Sequence, residues 1–408
     1  MSKEKRRVPK LRFPGFTEDW EQYRLDELLI ERSILCTQSE KYPLVSFTVE
    51  RGVTPKTERY NREALVVGNK ASKKYKLTLM DDIVYNPANL KFGAIARNKY
   101  GKAVFSPIYV TLEVKSDRII SDFLEYILTS KSFINKALRY QQGTVYERQS
   151  VNVESFLLQT INIPTVNEQI AISNLLYKYD KIISIYKHKL VVLNLKKKAL
   201  LQKLFPKQGA TCPTLRFPGY TDDWEHRKLG DFTNQINTFV NPEDAKLPLW
   251  SLTAEAGLIE KSDRYERDFL VKKKDQFKRI ETNTLVYNPM NITIGSIDIY
   301  TGLYPIAVSG YYVSIVYDKN IDTDFLKEAL LLPSSLKMYK NYATGSLIER
   351  QRVQYPTFSK LQLLFPNLDE QKAIGQLFKS LNLNITLHQR KLEHLQLQKK
   401  SLLQQMFV

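Results

Sequence analysis

Two stretches of the sequence are nearly the same. Residues 9–21 read PKLRFPGFTEDWE, and residues 213–225 read PTLRFPGYTDDWE. Further anchors recur at an offset of 202 residues: Tyr85-Asn86-Pro87 with Tyr287-Asn288-Pro289, Gly143…Glu147-Arg148-Gln149 with Gly345…Glu349-Arg350-Gln351, and Pro164…Glu168-Gln169 with Pro366…Glu370-Gln371. Because the period is a whole domain, the sequence indicates a tandem duplication and not a solenoid.

The similarity between the two copies is uneven. The edges and endings match, whereas stretches 22–80 and 226–282 hardly align. This pattern predicts one scaffold that carries two different surfaces.

The first part of each copy contains short β-branched and aromatic runs separated by Gly, Pro and Asn, which is typical of strands and turns. The runs are Pro43–Val49, Asp82–Tyr85, Ala103–Val114, Leu285–Tyr287 and Ala307–Tyr317. Short helices are predicted between them, for example over Ser121–Arg139 and Thr323–Tyr339. Each domain is therefore predicted to be α+β.

The second part of each copy, residues 167–205 and 368–407, contains no Pro and has apolar residues at alternating steps of three and four. This spacing predicts a coiled-coil seam on each helix, which Lys197 and Lys399 interrupt at the same place. The seam positions are Ile172, Leu175, Tyr179, Ile183, Tyr186, Leu190, Leu193, Leu200 and Leu204, and Ile374, Leu377, Leu381, Ile385, His388, Leu392, Leu395, Leu402 and Met406. A helix of this length, about 55 Å, is too long to bury against its own modest domain.

The direction of the two helices follows from the short connection between Phe205 and Leu215. The second domain must sit near the end of the first helix, so the second helix runs back along it. The predicted fold is α+β: two tandem-repeated α/β domains separated by two long antiparallel coiled-coil helices, with pseudo-two-fold symmetry. The predicted boundaries are 1–165 and 206–366 for the domains, and 166–205 and 367–408 for the spacer helices.

The charge of the chain favours an anionic partner. Its 408 residues carry 61 Lys and Arg against 43 Asp and Glu, a net charge of +18, with a pI near 9.5. An excess of positive charge of this size favours nucleic acid as the binding partner. The alternative interpretation is that the charge only keeps the protein soluble. The two cysteines, Cys36 and Cys212, cannot form a disulfide framework, so we expect a reducing compartment, and no stretch is apolar enough to span a membrane.

Two kinds of segment are candidates for DNA contact. The first kind comprises the segments Gly143–Gln149 and Gly345–Gln351, which are called the Gly…Gln loops. They contain Arg148 and Arg350, whose forked donors suit phosphates or bases. A structural turn with an internal Glu-Arg pair explains these segments equally well. The lysine-rich stretches could neutralise phosphates beside interleaved aromatics, or could form a solvated charged face. They contribute Lys70, Lys73, Lys74, Lys91, Arg97 and Lys99 in the first copy, and Lys272, Lys273, Lys274, Lys278 and Arg279 in the second.

The sequence shows no motif of an enzyme. Asn86-Pro87-Ala88 lacks the second Pro and the aromatic of an amino-methyltransferase motif, so a strand-end turn is expected. The cluster from Pro242 to Lys246 is interpreted as a loop and not as a nuclease site. The four histidines and two cysteines have no zinc spacing, and there is no Walker loop. We predict no catalytic, cofactor-binding or metal-binding residue.

The ordered set of motifs, present twice, resembles the specificity subunits of type I restriction-modification systems. The resemblance rests on the Leu-Arg-Phe-Pro-Gly…Asp-Trp-Glu opening, Gly-Thr…Arg-Gln, the Pro…Glu-Gln-x-x-Ile helix start and the Lys-Lys-x-Leu-Leu-Gln ending. It covers essentially the whole chain. No base-contacting residue can be carried over from it, because such residues vary with the target.

The resemblance implies a non-catalytic, cytoplasmic subunit that reads a bipartite, asymmetric site on double-stranded DNA. Its partners would be two modification subunits, which bind S-adenosylmethionine and methylate adenine at N6, and two restriction subunits, which use ATP and Mg²⁺. Two alternatives remain open: a non-catalytic protein-interaction scaffold, and a self-contained DNA methyltransferase or endonuclease.

Overall fold

The computed structural model of the chain describes residues 7–49, 51–56, 73–142, 149–261, 277–345 and 351–407. The chain forms two compact units. The first unit comprises Met1–Tyr186 with Lys391–Val408, and the second comprises Lys187–Arg390. Each unit therefore contains parts of both predicted spacer helices, and the remainder of each unit is called its head domain.

The head domains consist mainly of short strands. In the first unit these are β1 (Glu21–Arg24), β2 (Leu29–Glu31), β3 (Leu35–Thr37), β4 (Val45–Thr48), β5 (Gly52–Pro55), β6 (Lys74–Thr78), β7 (Ile83–Tyr85), β8 (Ile95–Arg97), β9 (Ala103–Phe105), β10 (Val110–Val114) and β11 (Thr160–Ile163). In the second unit they are β12 (Glu225–Lys228), β13 (Thr233–Ile236), β14 (Phe239–Val240), β15 (Trp250–Thr253), β16 (Gly257–Glu260), β17 (Phe277–Ile280), β18 (Thr284–Tyr287), β19 (Ile297–Tyr300), β20 (Ile306–Ser309), β21 (Val313–Tyr317) and β22 (Gln362–Phe365).

The helices of the head domains are short, and two further helices are long. They are α1 (Leu25–Leu28), α2 (Ser121–Leu128), α3 (Lys131–Leu138), α4 (Val153–Leu157), α5 (Val166–Leu204), α6 (Thr323–Leu330), α7 (Pro333–Tyr342), α8 (Tyr355–Phe358) and α9 (Leu368–Gln405). The mixture of strands and helices confirms the predicted α+β class. The long helices α5 and α9 have 39 and 38 residues and begin within one residue of the predicted positions.

Two predicted segments are divided in the structure. The strand expected over Ala103–Val114 is two strands, because a turn in which Tyr109 N donates to Ser106 O separates β9 from β10. The helix expected over Ser121–Arg139 is also two, since Ser130 caps α3 by accepting a hydrogen bond from Phe133 N. The second copy divides its counterparts in the same way.

The two heads have the same sheet topology. Sheets β2-β10-β7-β8 and β3-β6-β9 of the first head correspond to β13-β21-β18-β19 and β14-β17-β20 of the second, and the paired strands are antiparallel. Side chains alternate along the central strands as pleating requires. Ile83 and Tyr85 of β7 enter the large core, whereas Val84 between them enters a small second core.

Within each unit, the early part of one long helix packs with the late part of the other. In the first unit, Ile172 and Leu176 of α5 share a core with Met406 of α9. In the second unit, Leu204 of α5 shares a core with Ile374 of α9. Early α5 therefore meets late α9 and late α5 meets early α9, which confirms antiparallel pairing. The seam prediction omitted Leu176 and its counterpart Phe378, both fully buried.

Candidate nucleic-acid interface

The repeated opening motif is structural. Arg12 donates two hydrogen bonds of 2.7 Å to the carboxylate of Glu168, and Arg216 donates two of 2.8 and 2.7 Å to Glu370. Both glutamate side chains are completely buried. Each Leu-Arg-Phe-Pro-Gly segment is thereby fixed to the first turn of its own long helix by a forked, charge-assisted pair.

The glutamines that follow these glutamates join the long helices to the heads. Gln169 Nε2 donates to Pro164 O and Arg118 O, and its Oε1 accepts from Ile120 N. In the second unit, Gln371 Nε2 donates to Pro366 O. The buried Glu-Gln pairs are therefore occupied by protein partners, and they are not available to a ligand.

The Asn-Pro motifs are turns at the ends of strands, as predicted. Asn86 Oδ1 accepts hydrogen bonds from the backbone of Ala88 and Asn89 immediately after β7. Pro87 O then accepts from Val151 N, at 3.2 Å. The turn thus supports the chain that follows the Gly…Gln loop, and the second head repeats this contact between Pro289 and Val353.

Several candidate cations lie outside the residues that the structure describes, so their predicted roles stay predictions. They are Lys70, Arg148, Lys272, Lys273, Lys274 and Arg350. The bases of the two Gly…Gln loops are described. Each is closed by a two-residue antiparallel bridge, between Gln142 and Ser150 in the first head and between Thr344 and Arg352 in the second.

Two candidate positions are occupied by protein acceptors. The guanidinium of Arg97 lies within 3.3 Å of three carboxylates, those of Asp81, Asp122 and Glu125. Lys278 is buried, and its Nζ donates to Tyr312 O at 2.7 Å. Burial lowers the pKa of Lys278. We therefore correct the sequence prediction and remove Arg97 and Lys278 from the candidate phosphate contacts.

The remaining candidates are not all in one place. Lys73 and Lys74 are exposed at the start of β6, and the Lys73 ammonium lies 5.5 Å from the ring centroid of Tyr75. Lys99 is exposed near the other end of that strand and is paired with Glu125 at 2.8 Å. In the second head, Arg279 is half-exposed and contacts Glu281.

Sequence reasoning missed a cationic position at the tip of the β4–β5 hairpin. Gly93 ends the 3₁₀ helix Leu90–Phe92 beside the hairpin tip, since a Cβ added at Gly93 would lie 3.5 Å from Val49 Cγ1. Arg51 is exposed at this tip, Phe92 is 65% exposed, and the Lys91 ammonium lies 5.3 Å from the Phe92 ring centroid. These four residues, Val49, Arg51, Lys91 and Phe92, are called the tip patch. Arg51 was missed because it stands alone in the sequence.

The second head has a different surface at the corresponding place. Its hairpin β15–β16 carries the exposed residues Ala254, Glu255 and Ala256 at the tip. Its 3₁₀ helix, Ile292–Ile294, again approaches the hairpin through a glycine in the left-handed region, Gly295. Ile294 is 60% exposed. Ala256, Thr293 and Ile294 thus stand at the places of Arg51, Lys91 and Phe92, so the second head lacks the two cations and the aromatic ring of the tip patch.

Among the described residues, no helix combines the length and the hydropathy that a membrane-spanning segment needs. In the same parts of the chain, the His, Cys, Asp and Glu side chains form no group of three or more that could hold a metal ion.

The fold is similar to that of a solved S subunit of a type I restriction-modification system. A type I restriction-modification S subunit from M. genitalium superposes with a TM-score of 0.64 over 98% of this chain and 99% of that chain, at 14% identity. At that identity the similarity shows the fold alone. The HsdS subunit from Thermoanaerobacter tengcongensis gives a TM-score of 0.40, over 97% of each chain at 14% identity.

The sequence of the first copy is similar to a known family. Residues 17–195 match the family of the type I restriction modification DNA specificity domain. The match lies within the first copy of the repeat.

Proposed function

We propose that the chain is the specificity subunit of a type I restriction-modification complex, and that each head domain reads one half of a bipartite, asymmetric site on double-stranded DNA. The observation that carries this proposal is the match of residues 17–195 to a DNA specificity domain. The second unit rebuilds the same frame, with the Arg216–Glu370 pair in place of Arg12–Glu168. Two similar head domains in one chain match the two half-sites of a bipartite sequence.

The tip patch suits the first head for this task. Arg51 and Lys91 can neutralise backbone phosphates, and the exposed Phe92 offers an apolar face to a base or sugar. Phosphate contacts fix the position of a protein on DNA, whereas side chains at base edges determine which sequence is read. The different surface at the same place on the second head fits an asymmetric site, whose two halves have different sequences.

The proposal assigns the chemistry to other chains. Two modification subunits would supply S-adenosylmethionine and methylate adenine at N6, and two restriction subunits would supply ATP-driven translocation and cleavage with Mg²⁺. The chain itself would act in the cytoplasm as a non-catalytic subunit. The absence of methyltransferase, Walker and zinc motifs from the full sequence supports this division.

The test is methylome sequencing of cells that carry this chain and its modification subunit. We expect adenine methylation at one bipartite motif, which disappears when either gene is removed. A homogeneous preparation of this chain alone should not transfer methyl groups or cut DNA, and turnover by it would contradict the proposal. A salt titration of duplex binding separates DNA recognition from an interaction scaffold, since phosphate contacts give a steep dependence.

A further inference from the structure

Each unit contains a three-residue cluster where a head helix meets both long helices. In the first unit the cluster consists of Tyr126 of α2, Asp180 of α5 and Lys399 of α9. In the second unit it consists of Glu328 of α6, Asn382 of α9 and Lys197 of α5. The three positions correspond one to one at the repeat offset of 202 residues. The cluster also explains why a lysine interrupts each apolar seam.

In the first cluster the acid is on the long helix. The Tyr126 hydroxyl donates to Asp180 Oδ2 at 2.8 Å, and the Lys399 ammonium forms an ion pair with the same carboxylate. Lys399 also lies 5.2 Å from the centroid of the Tyr126 ring. Burial and the bond to Asp180 raise the pKa of Tyr126, so the phenol keeps its proton and remains a donor.

In the second cluster the acid is on the head. Lys197 Nζ lies 3.0 Å from Glu328 Oε1, and Asn382 Nδ2 donates to the same oxygen at 2.7 Å. The Glu328 side chain is only 4% exposed. A carboxylate so deeply buried depends on its cation, because an unpaired charge in the protein interior is strongly destabilising.

The two clusters share one lysine and one acid, but the acid comes from different helices. The lysine is constant, and exactly one of the two facing positions supplies the acid: Asp180 beside Tyr126, or Glu328 beside Asn382. Moving the second head onto the first pair of helix segments would place Glu328 and Asp180 together against Lys399 alone. The reverse exchange would leave Lys197 between Tyr126 and Asn382 with no acid from the cluster.

We propose that this cluster is a matching site that decides which head domain fits which pair of long-helix segments. A head with an apolar or phenolic residue at the α2 position requires an acid on the long helix, and a head with an acid requires an amide there. The inference extends the proposed function, because it limits which recognition heads can be exchanged. Its readout is folding, so it can fail while the proposed function stands, and the reverse also holds.

The first experiment measures coupling in the full chain. Asp180→Asn and Tyr126→Glu should each lower the midpoint of unfolding of the first unit by about 2–4 °C, and the double variant, which has the composition of the second cluster, should recover most of the loss. Hydrogen exchange of α2 amides assigns the effect to the first unit. Glu154→Gln, an exposed acid on α4, is the control and should change nothing. Additive losses in the double variant would overturn the proposal.

The second experiment reverses the sign of one substitution. In a chimera, residues 229–361 of the second head replace residues 25–159 of the first. There, Asp180→Asn should raise the unfolding midpoint, because it removes the second of two facing carboxylates, whereas in the natural chain it lowers the midpoint. If Asp180→Asn has the same sign in both proteins, the matching role is excluded. If the chimera that retains Asp180 does not fold, recovery of folding by Asp180→Asn supports the matching role equally.

Discussion

The two units agree where the long helices begin and differ at the tips of their hairpins. At the start of each long helix, an arginine forms a forked ion pair with a buried glutamate, at nearly the same distances in both units. At the hairpin tips, the first head has Arg51, Lys91 and Phe92, whereas the second head has Ala256, Thr293 and Ile294 at the corresponding places. The repeated residues therefore hold the frame, and residues that differ are the ones available for recognition.

The difference between the heads extends below the surface. In the first head, Arg32 forms a forked ion pair with the buried Asp82, at 2.9 and 3.0 Å. The second head has Ile236 and Thr284 at the corresponding places, so this ion pair has no counterpart there. The heads are thus stabilised by different interior contacts, although their strands follow the same order.

The largest expected effect tests what the units share. Arg12→Met and Arg216→Met should each destabilise their unit by about 3–5 kcal/mol, because each leaves a fully buried glutamate without its cation. Urea unfolding measures the loss. The double variant Arg12→Met with Glu168→Met should recover most of it, since no charge is then left buried. A loss below about 1 kcal/mol in only one unit would break the equivalence of the two frames.

The next effect is confined to the first unit and depends on pH. Arg32→Met should cost about 3 kcal/mol at pH 7, since it leaves the buried Asp82 unpaired. Burial raises the pKa of Asp82, and Arg32 opposes that rise. Without Arg32 the pKa rises further, so the protonated form is reached at higher pH and the deficit shrinks as the pH falls.

Urea unfolding at pH 7 and pH 5 measures this change. Arg24→Met removes an exposed pair with Asp26 and should cost less than about 0.5 kcal/mol at both values. A deficit of Arg32→Met that stays constant with pH would show that Asp82 is not the cause.

A smaller effect tests the surfaces that differ. Arg51→Gln with Lys91→Gln should weaken duplex binding by the assembled complex and reduce the slope of log affinity against log salt by about 2, one per lost phosphate contact. The matched control is Ala256→Gln with Thr293→Gln at the corresponding places of the second head, which should not reduce the slope. An unchanged slope in the first variant would remove the tip patch from the interface.

The smallest effect concerns Lys278 in the second head. Its pKa is lowered by burial, so above that pKa the folded chain binds fewer protons than the unfolded chain. Stability relative to Lys278→Met should therefore rise slightly as the pH increases toward the ordinary pKa of lysine, about 10.4. Thermal unfolding over this range measures the difference, and a flat difference would show that the lysine is not desolvated in solution.

The sequence predicts the frame better than the surface. The apolar steps of α5 and α9 and the repeated turns after β7 and β18 are local patterns, so their positions follow from periodicity and from Asn-Pro chemistry. The roles of Arg97 and Lys278 do not follow, because their acceptors come from segments distant in the chain. The roles of Lys399 and Lys197, which interrupt the apolar seams, could not be predicted for the same reason. Their partners Asp180 and Glu328 are 219 and 131 residues away.

The central claim is that one frame carries two independent reading heads. The most direct measurement is methylome sequencing after residues 22–160 are replaced with the corresponding domain of another family member, chosen with an apolar or phenolic residue at the position of Tyr126. We expect one half of the methylated motif to change, while the other half and the spacing between them stay the same. A change in both halves, or no change in either, would contradict it.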